Sequence, residues 1–245
     1  MHYVAHVAHC AASDPAAHAG SLRHVTTLLE SMAAWVEELR RERPIFHSEA
    51  DMQHALAWVA HRSDPALQVR LETRPAPGFR LDLLLSRPEL GTHLVLELKY
   101  LTAPWVGEVR GEHFELLSQG AQDIRDYDVV KDIHRVERFV GDKPGWCGAV
   151  LVLTNDPSYW QRPGHGRATN ADAFRIYEGN QITGSRAWGT KTGGTMKGRE
   201  APIELAGNYP CSWSEYSTLP GSRGAFRLLS FVRDPHSFGA SGPTT

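Results

Sequence analysis

Three short apolar runs in the middle of the chain limit its fold most strongly. They cover residues 67–73, 79–86 and 93–102, and Pro and Gly residues separate them. Runs of this length, rich in Leu and Val and bounded by such breakers, are typical of β-strands joined in a meander. The sequence therefore predicts three consecutive strands of one sheet.

Helical patterns precede these strands. Apolar residues recur at helical spacing over 21–41, and Pro44 ends that helix. A second helix is expected over 48–62, where the Ser48 hydroxyl can accept an amide hydrogen of the first turn and cap the helix. The chain therefore enters its predicted sheet through two helices.

A third helix and a fourth strand follow the meander. The helix is expected over about 116–140 and the strand over 147–155, which is strongly apolar. Residues 157–200 are rich in Gly, Pro and Arg and are expected to form loops with short elements, before later strand candidates at APIEL and FRLLSFVR. The order α, β, β, β, α, β predicts an α/β fold with a mixed central sheet and helices packed on it.

Composition excludes some classes of protein. The 245 residues carry a net charge of −2, so any contact with nucleic acid must come from a local basic patch. The three cysteines lie far apart, which indicates reduced thiols and the cytoplasm. The chain has no apolar run long enough for a membrane helix and does not begin like a signal peptide. We expect a helical extension over 1–44 and one large domain over 45–245.

Charged residues interrupt two of the three predicted strands. Asp82 lies among leucines in the second strand, and Glu97 and Lys99 lie within the third. Because side chains alternate along a strand, Glu97 and Lys99 share the face of Val95, opposite the neighbouring leucines. Burying an ion pair for stability alone gains little, since lost hydration offsets the attraction. These charges therefore indicate a functional site, and a structural ion pair at a sheet edge is the alternative.

The three charged residues converge if the second and third strands pair. The backbone positions of Glu97 and Lys99 are then about 7 Å apart, so their side chains can reach a shared point. Carboxylates on adjacent strands form an oxygen site suited to Mg²⁺. An ammonium group beside them can orient a water molecule and offset negative charge in a phosphoryl transition state.

Polar residues also begin the core-facing stripes of two predicted helices. Glu49 precedes apolar residues in the second helix, and Gln119, Gln122 and Asp126 precede apolar residues in the third. Polar groups on a buried face need partners, and a shared cleft would provide them. A first-turn acid favoured by the helix dipole, and glutamines bonded to nearby backbone, are the alternatives.

The opposite side of the third helix is expected to face solvent. Its members follow a four-residue spacing suited to ion pairs: Asp123, Tyr127, Lys131 and Arg135. Asp128 and Asp132 belong to neither face, and the pattern assigns them no role.

These residues together resemble the PD-(D/E)XK nuclease superfamily, which has the restriction-endonuclease-like fold. The likeness rests on FRLDLLL and LVLELKY, which carry the spaced D…E-x-K, on the helical glutamate before them, and on the αβββαβ order. The stretch FELLSQGAQDIRDYDVVKDIHRVERF also resembles the helix after the catalytic strand in stand-alone bacterial members. The resemblance covers about residues 46–155, and Leu81 stands where many members have a proline.

The resemblance implies a metal-dependent nuclease that hydrolyses phosphodiester bonds, with DNA as the expected substrate. Asp82 and Glu97 would bind Mg²⁺ or Mn²⁺, and Lys99 would be the catalytic lysine. Glu49 would match the acid of the first helix, which either contacts the metal as well or supports the lysine. Gln119 or Gln122 would match the later glutamine that contacts the substrate or the lysine.

The same resemblance leaves other properties open. Many relatives form homodimers, and the amphipathic helix over 21–41 is a candidate interface. A non-catalytic module that binds nucleic acid or protein on the same fold is an alternative hypothesis. A metal-dependent hydrolase of small phosphate esters is another, since the near-neutral net charge permits it.

Overall fold

The computed structural model describes residues 15–164, 166–190 and 194–234, with side chains described from Leu28 onward. These ranges contain three α-helices: α1 Pro15–Glu42, α2 Glu49–Ser63 and α3 Gln122–Val140. They contain ten strands: β1 Gln68–Thr73, β2 Leu81–Arg87, β3 Thr92–Leu101, β4 Trp105–Val109, β5 Glu112–Leu116, β6 Trp146–Thr154, β7 Gln181–Arg186, β8 Ile203–Pro210, β9 Trp213–Thr218 and β10 Ala225–Arg233. Short 3₁₀ turns lie at Pro88–Leu90, Asp172–Phe174 and Gly194–Met196.

Six of the strands form one mixed sheet in the order β1-β2-β3-β6-β10-β9. Only β3 and β6 run parallel, and every other neighbouring pair in this sheet is antiparallel. The predicted meander over 67–102 is confirmed as β1–β2–β3, and the apolar run 147–155 is confirmed as β6. The α/β class with a mixed central sheet is therefore confirmed.

The two N-terminal helices lie where the apolar spacing predicts them, although α1 begins at Pro15 rather than near residue 21. The Ser48 hydroxyl accepts the Asp51 amide hydrogen at 3.1 Å, which confirms the predicted cap of α2. Among the described residues, no helix has the length and apolar character needed to cross a membrane.

The expected start of the third helix was wrong. Leu116, where the helix was expected to begin, is the last residue of β5, which pairs with β4 through a tight turn in which Arg110 and Gly111 both have positive φ. The helix begins only at Gln122, because Gly120 and Ala121 also have positive φ and interrupt the helical path. Positive φ at both Arg110 and Gly111 defines the two-residue hairpin turn between β4 and β5, a turn type that twisted strands favour.

Helices cover both faces of the sheet. Side chains of α1 and α2 pack with Leu94, Leu96 and Leu98 of β3, whereas α3 packs with Val95 on the other face. This arrangement confirms the predicted alternation along β3. It also means that Glu97 and Lys99 point from the sheet toward α3.

The apolar side of α1 is used within the chain. Leu28, Met32, Trp35 and Leu39 are buried in the same core cluster as the central strand. Dimerisation through this helix, and a domain boundary at residue 44, stay predictions. Cys147 and Cys211 are buried thiols, and Cys10 lies outside the described residues.

Candidate active site

The acids and the lysine singled out in the sequence meet in one cavity. Asp82 comes from the start of β2, Glu97 and Lys99 from β3, and Glu49 from the first turn of α2. All four line a cavity of about 410 Å³ between the sheet and α3. Three elements that are distant in the chain thus contribute to one pocket.

Backbone amides of β3 hold two of the carboxylates. Asp82 Oδ2 accepts the Leu98 amide hydrogen at 2.8 Å, and Glu49 Oε2 accepts the Tyr100 amide hydrogen at 2.9 Å. The β2–β3 ladder ends at the pair Leu83 and Leu96, so beyond this point side chains satisfy the amides of β3. The site therefore begins where β2 and β3 separate.

Helix α3 supplies two residues that the sequence did not assign to the site. Asp132 contacts Lys99 Nζ through Oδ2 at 2.8 Å and Arg135 Nη2 through Oδ1 at 2.7 Å. Arg135 Nη1 donates to Glu97 Oε2 at 2.8 Å. Asp132 thus bridges both cations, and Arg135 links it to Glu97.

Glu97 is the most constrained of these acids. Its side chain is fully buried, and Oε1 has no hydrogen-bond partner among the described residues. Burial raises the pKa of Glu97 well above its ordinary value, and the negative charges of Asp132 and Asp82 add to that shift. Arg135 and Lys99 oppose the shift without cancelling it.

The other two acids have the same tendency. Burial raises the pKa of Asp82, although the Leu98 amide and Lys99 act against it. Burial likewise raises the pKa of Glu49, opposed first by Lys99. Each of the three acids predicted to bind metal is therefore more difficult to ionise than a free carboxyl group.

Lys99 behaves in the opposite way. Burial alone would lower its pKa, but the carboxylates of Asp132, Glu49 and Asp82 outweigh burial, and the net shift is upward. The amine also donates to the Leu98 carbonyl oxygen at 3.0 Å. Lys99 is therefore held as an ammonium group with a fixed direction.

The donor set fits a divalent cation chemically. Four carboxylates (Glu49, Asp82, Glu97 and Asp132) face three cations (Lys99, Lys131 and Arg135), so one negative charge is left uncompensated when all four ionise; Arg80 and Glu72, on the same wall, pair with each other. Carboxylate oxygens are the ligands that Mg²⁺ prefers, and the unpartnered Glu97 oxygen is a buried acceptor without a donor. As the side chains stand, no three acidic, His or Cys groups of the described residues are gathered tightly enough to hold a metal. Arg135 and Lys99 occupy the carboxylate oxygens instead.

Of the two predicted glutamines, only Gln119 lies at the site. Gln119 lies in the loop before α3, donates to the Tyr100 carbonyl oxygen at 2.7 Å, and lines a 230 Å³ cavity together with Glu49 and Lys99. Gln122 donates to the Ser158 carbonyl oxygen at 2.8 Å and is not among the residues that line the cavities around Lys99. Because α3 starts at Gln122, the two residues do not share a helical stripe.

Two expectations for α3 were wrong. Arg135 does not belong to a solvated face, because it reaches back to the strand and pairs with Glu97. Tyr127 is buried and stacks on Trp188. Asp126 faces Arg175 at 2.9 Å rather than the cleft. One sequence feature could have indicated that Asp132 and Arg135 belong to the site. They are three residues apart on a helix, a spacing suited to an ion pair, and that helix follows the strand that carries Glu97 and Lys99.

No protein-family model, curated protein or solved structure matches this chain. A functional interpretation therefore rests on the residues and the geometry described above.

Proposed function

We propose that this chain is a metal-dependent phosphodiesterase that cleaves nucleic acid, with DNA as the expected substrate. The observation that carries the proposal is the convergence of Glu49, Asp82 and Glu97 with Lys99 in one cavity. The same site holds a buried Glu97 carboxylate oxygen that has no hydrogen-bond donor among the described residues. Perturbed groups concentrated in one cleft are typical of functional sites.

We further propose that residues 46–155 form a restriction-endonuclease-like core. Support comes from the order of elements: α2, the meander β1–β2–β3, α3, and β6 parallel to β3. The acids of the D…E-x-K pattern lie on the second and third strands of that meander, as the resemblance implies.

Asp82, Glu97 and Glu49 would hold Mg²⁺ or Mn²⁺ in this site. Such a cation, when bound, supplies positive charge to the phosphoryl oxygens and lowers the pKa of a bound water. For Glu97 to contribute both oxygens, the Arg135 guanidinium must release Oε2. Binding of metal and movement of Arg135 are thus linked in the proposal.

Lys99 would act on the attacking water and on the charge that develops at phosphorus. Hydrolysis forms a bond from the water oxygen to phosphorus and breaks the ester P–O bond, while the water loses a proton and the leaving oxygen gains one. The raised pKa of Lys99 keeps it protonated, so it serves as a charge and a hydrogen-bond donor rather than as the base.

A cleavage assay tests the proposal. Wild-type protein is incubated with single- and double-stranded DNA, with RNA and with a simple phosphodiester, each with Mg²⁺, Mn²⁺ or chelator. We expect metal-dependent hydrolysis that Asp82→Asn and Lys99→Ala each reduce at least about a hundredfold. Asp142→Asn and Lys197→Ala, at exposed positions outside the cavity, are the matched controls. Hydrolysis that survives both cavity substitutions would refute the assignment.

A non-catalytic binding module is the second candidate. Its support is that Lys99 and Arg135 already pair with Asp132 and Glu97, as in a structural ion network. That candidate predicts that wild-type protein binds nucleic acid without cleaving it, and that Mg²⁺ and Mn²⁺ leave its melting temperature unchanged. Cleavage, or a metal-induced rise in melting temperature that Asp82→Asn abolishes, excludes it.

A further inference from the structure

We call the cavity of Glu49, Asp82, Glu97 and Lys99 the acidic cavity. Three exposed cations in or near it have no salt bridge among the described residues: Arg74, Lys131 and Arg138. Their cationic neighbours are all engaged, since Arg80 pairs with Glu72 and Arg135 with Glu97. Uncompensated cations gathered on one surface attract a negatively charged partner.

These cations line three neighbouring cavities that share lining residues. The acidic cavity shares Gly78, Lys131 and Arg135 with a second cavity of about 230 Å³, which Arg138 also lines. That cavity in turn shares the turn residues 77–79 with a third, of about 670 Å³, which includes Arg74. We call the two outer cavities the basic groove.

The wall of the basic groove formed by the β1–β2 turn is held firmly against α3. Phe79 packs on Phe139 with ring centres 5.1 Å apart, and its amide donates to the Ala76 carbonyl oxygen at 3.1 Å. Gly78 has a φ of +78°, which the turn requires and which other residues rarely adopt. Two prolines, at 75 and 77, restrict the turn further. A ligand therefore meets a preformed surface and loses little binding energy in ordering it.

The spacing of the cations suits a phosphate backbone. Lys131 and Arg138 are seven residues apart on α3, which is two helical turns and about 10 Å along the axis. Successive phosphates of one DNA strand advance about 3.4 Å along a duplex, so three steps span the same length. The guanidinium of Arg138 lies over the Phe79 ring, 5.9 Å from its centre, which restrains its direction.

We infer that the basic groove holds the phosphate backbone of a nucleic-acid strand as it leaves the acidic cavity. The inference rests on the proposed function for the identity of the ligand. A nucleic acid is favoured over an acidic protein because the basic groove adjoins the cavity of Glu97 and Lys99, with which it shares three lining residues. In this proposal the nucleic-acid strand contacts Lys131 and Arg138 on α3 and Arg74 at the β1–β2 turn.

Salt-dependent binding without metal tests the inference. The affinities of wild-type protein and of a triple variant, Arg74→Gln with Lys131→Gln and Arg138→Gln, are measured by fluorescence anisotropy with labelled duplex and single-stranded DNA over a range of KCl concentrations in chelator. Each lost phosphate contact lowers the slope of log affinity against log salt by about 0.9 for a duplex and about 0.7 for a single strand. We expect the triple variant to lose about 2 to 3 from the slope and at least about tenfold in affinity at low salt.

The matched control removes three cations from the other face of the sheet, with Arg40→Gln, Arg41→Gln and Arg62→Gln on α1 and α2. This variant should keep the wild-type slope. Circular dichroism melting checks that each variant is folded. If the triple variant is unfolded, Lys131→Gln and Arg138→Gln are tested singly, and each should lower the slope by about 1.

The outcomes separate this inference from the proposed function. A slope equal to that of wild type in the folded triple variant, or no binding of wild-type protein to either DNA at low salt, overturns the inference. A reduced slope supports it even if no substrate is cleaved, because binding in chelator requires no hydrolysis. That combination of results would support binding of nucleic acid in the basic groove and refute the phosphodiesterase proposal.

Discussion

At the scale of single residues, the buried carboxylates of the site share a small number of cations. Asp132 pairs with both Lys99 and Arg135, and Arg135 is shared between Asp132 and Glu97. Glu97 Oε1 is left without a donor. A buried polar group that lacks a partner reduces stability, and such departures from full hydrogen bonding are expected at functional sites.

Arg135 competes with a metal for Glu97. We expect Arg135→Gln to tighten Mn²⁺ binding at least about tenfold, because a unit charge near a divalent ion contributes about 2 kcal/mol of repulsion even in a water-like medium. Isothermal titration calorimetry measures the change. Arg138→Gln, one turn further along α3 and without a salt bridge, should leave the affinity within about twofold of wild type. Unchanged or weaker Mn²⁺ binding by the Arg135 variant contradicts this role.

The affinity for Mg²⁺ should rise with pH. Burial raises the pKa of Glu97 to about 9, so protons compete with the metal for this acid in the neutral range, and burial shifts the pKa values of Asp82 and Glu49 in the same direction. Metal binding must then release protons, and raising the pH from about 6 to about 8 should strengthen it. Calorimetry in buffers of different ionisation enthalpy counts the released protons. Affinity that is flat across this range would show that the acids are ionised before metal binds.

Asp82 should lower the stability of the metal-free protein. A raised pKa means that the folded state disfavours the ionised acid relative to the unfolded chain, and this penalty is present at neutral pH. We therefore expect Asp82→Asn to raise the melting temperature in chelator by about 2–4 °C, as about 1 kcal/mol does in a protein of this size. In saturating Mg²⁺ the order should reverse, since only the wild type gains from the metal. Asp142→Asn, at a fully exposed position, is the control and should change neither value.

At the scale of elements, β3 and α3 differ in how clearly the sequence marks them. The two-residue alternation of β3 can be predicted from the sequence, because one side of the strand is apolar throughout and the other changes from Val95 to charged residues. The sequence does not mark the start of α3, because Leu116, where the helix was expected to begin, ends a hairpin strand and the helix starts six residues later, at Gln122. Backbone angles at Gly120 and Ala121, rather than hydrophobicity, set that boundary.

Ala121 adopts a left-handed conformation that alanine disfavours. Its φ is +53°, so Ala121→Gly should remove strain of about 1 kcal/mol and increase the free energy of unfolding. Urea denaturation measures this change. Ala55→Gly, in the interior of α2, should have the opposite sign, with a loss of about 0.5–1 kcal/mol. Destabilisation by Ala121→Gly would show that this boundary is not strained.

At the scale of the whole molecule, both layers of helices depend on one sheet. The described part of α1 shares its core with α2 and the central strand, and α3 closes the other face above the site. The acidic cavity and the basic groove both lie on the α3 side. One face of the sheet thus packs against α1 and α2, and the α3 side carries the cavities proposed to bind the substrate.

The packing of α1 makes a testable contribution to the stability of the whole chain. Trp35 is 3% exposed, so Trp35→Ala should lower the free energy of unfolding by about 3–5 kcal/mol. Trp58 of α2 is 65% exposed, and Trp58→Ala should change it by less than about 0.5 kcal/mol. Chemical denaturation compares the two variants. Similar losses from both would show that α1 does not stabilise the core.

The sequence by itself determined the meander β1–β2–β3 and β6, the faces of β3, and the four residues Glu49, Asp82, Glu97 and Lys99 that meet in the cavity; the strands β4, β5, β7 and β9 were not predicted. It could do so because side-chain periodicity in a strand or helix is local, and a charge within an apolar run is visible without knowledge of the partner. Only the tertiary structure decided that Asp132 and Arg135 complete the site, that Asp126 turns to Arg175, and that Arg74 joins Lys131 and Arg138 along one groove. Those relations depend on how helix and sheet pack, and the pairing of charges across elements leaves no periodic trace in either segment.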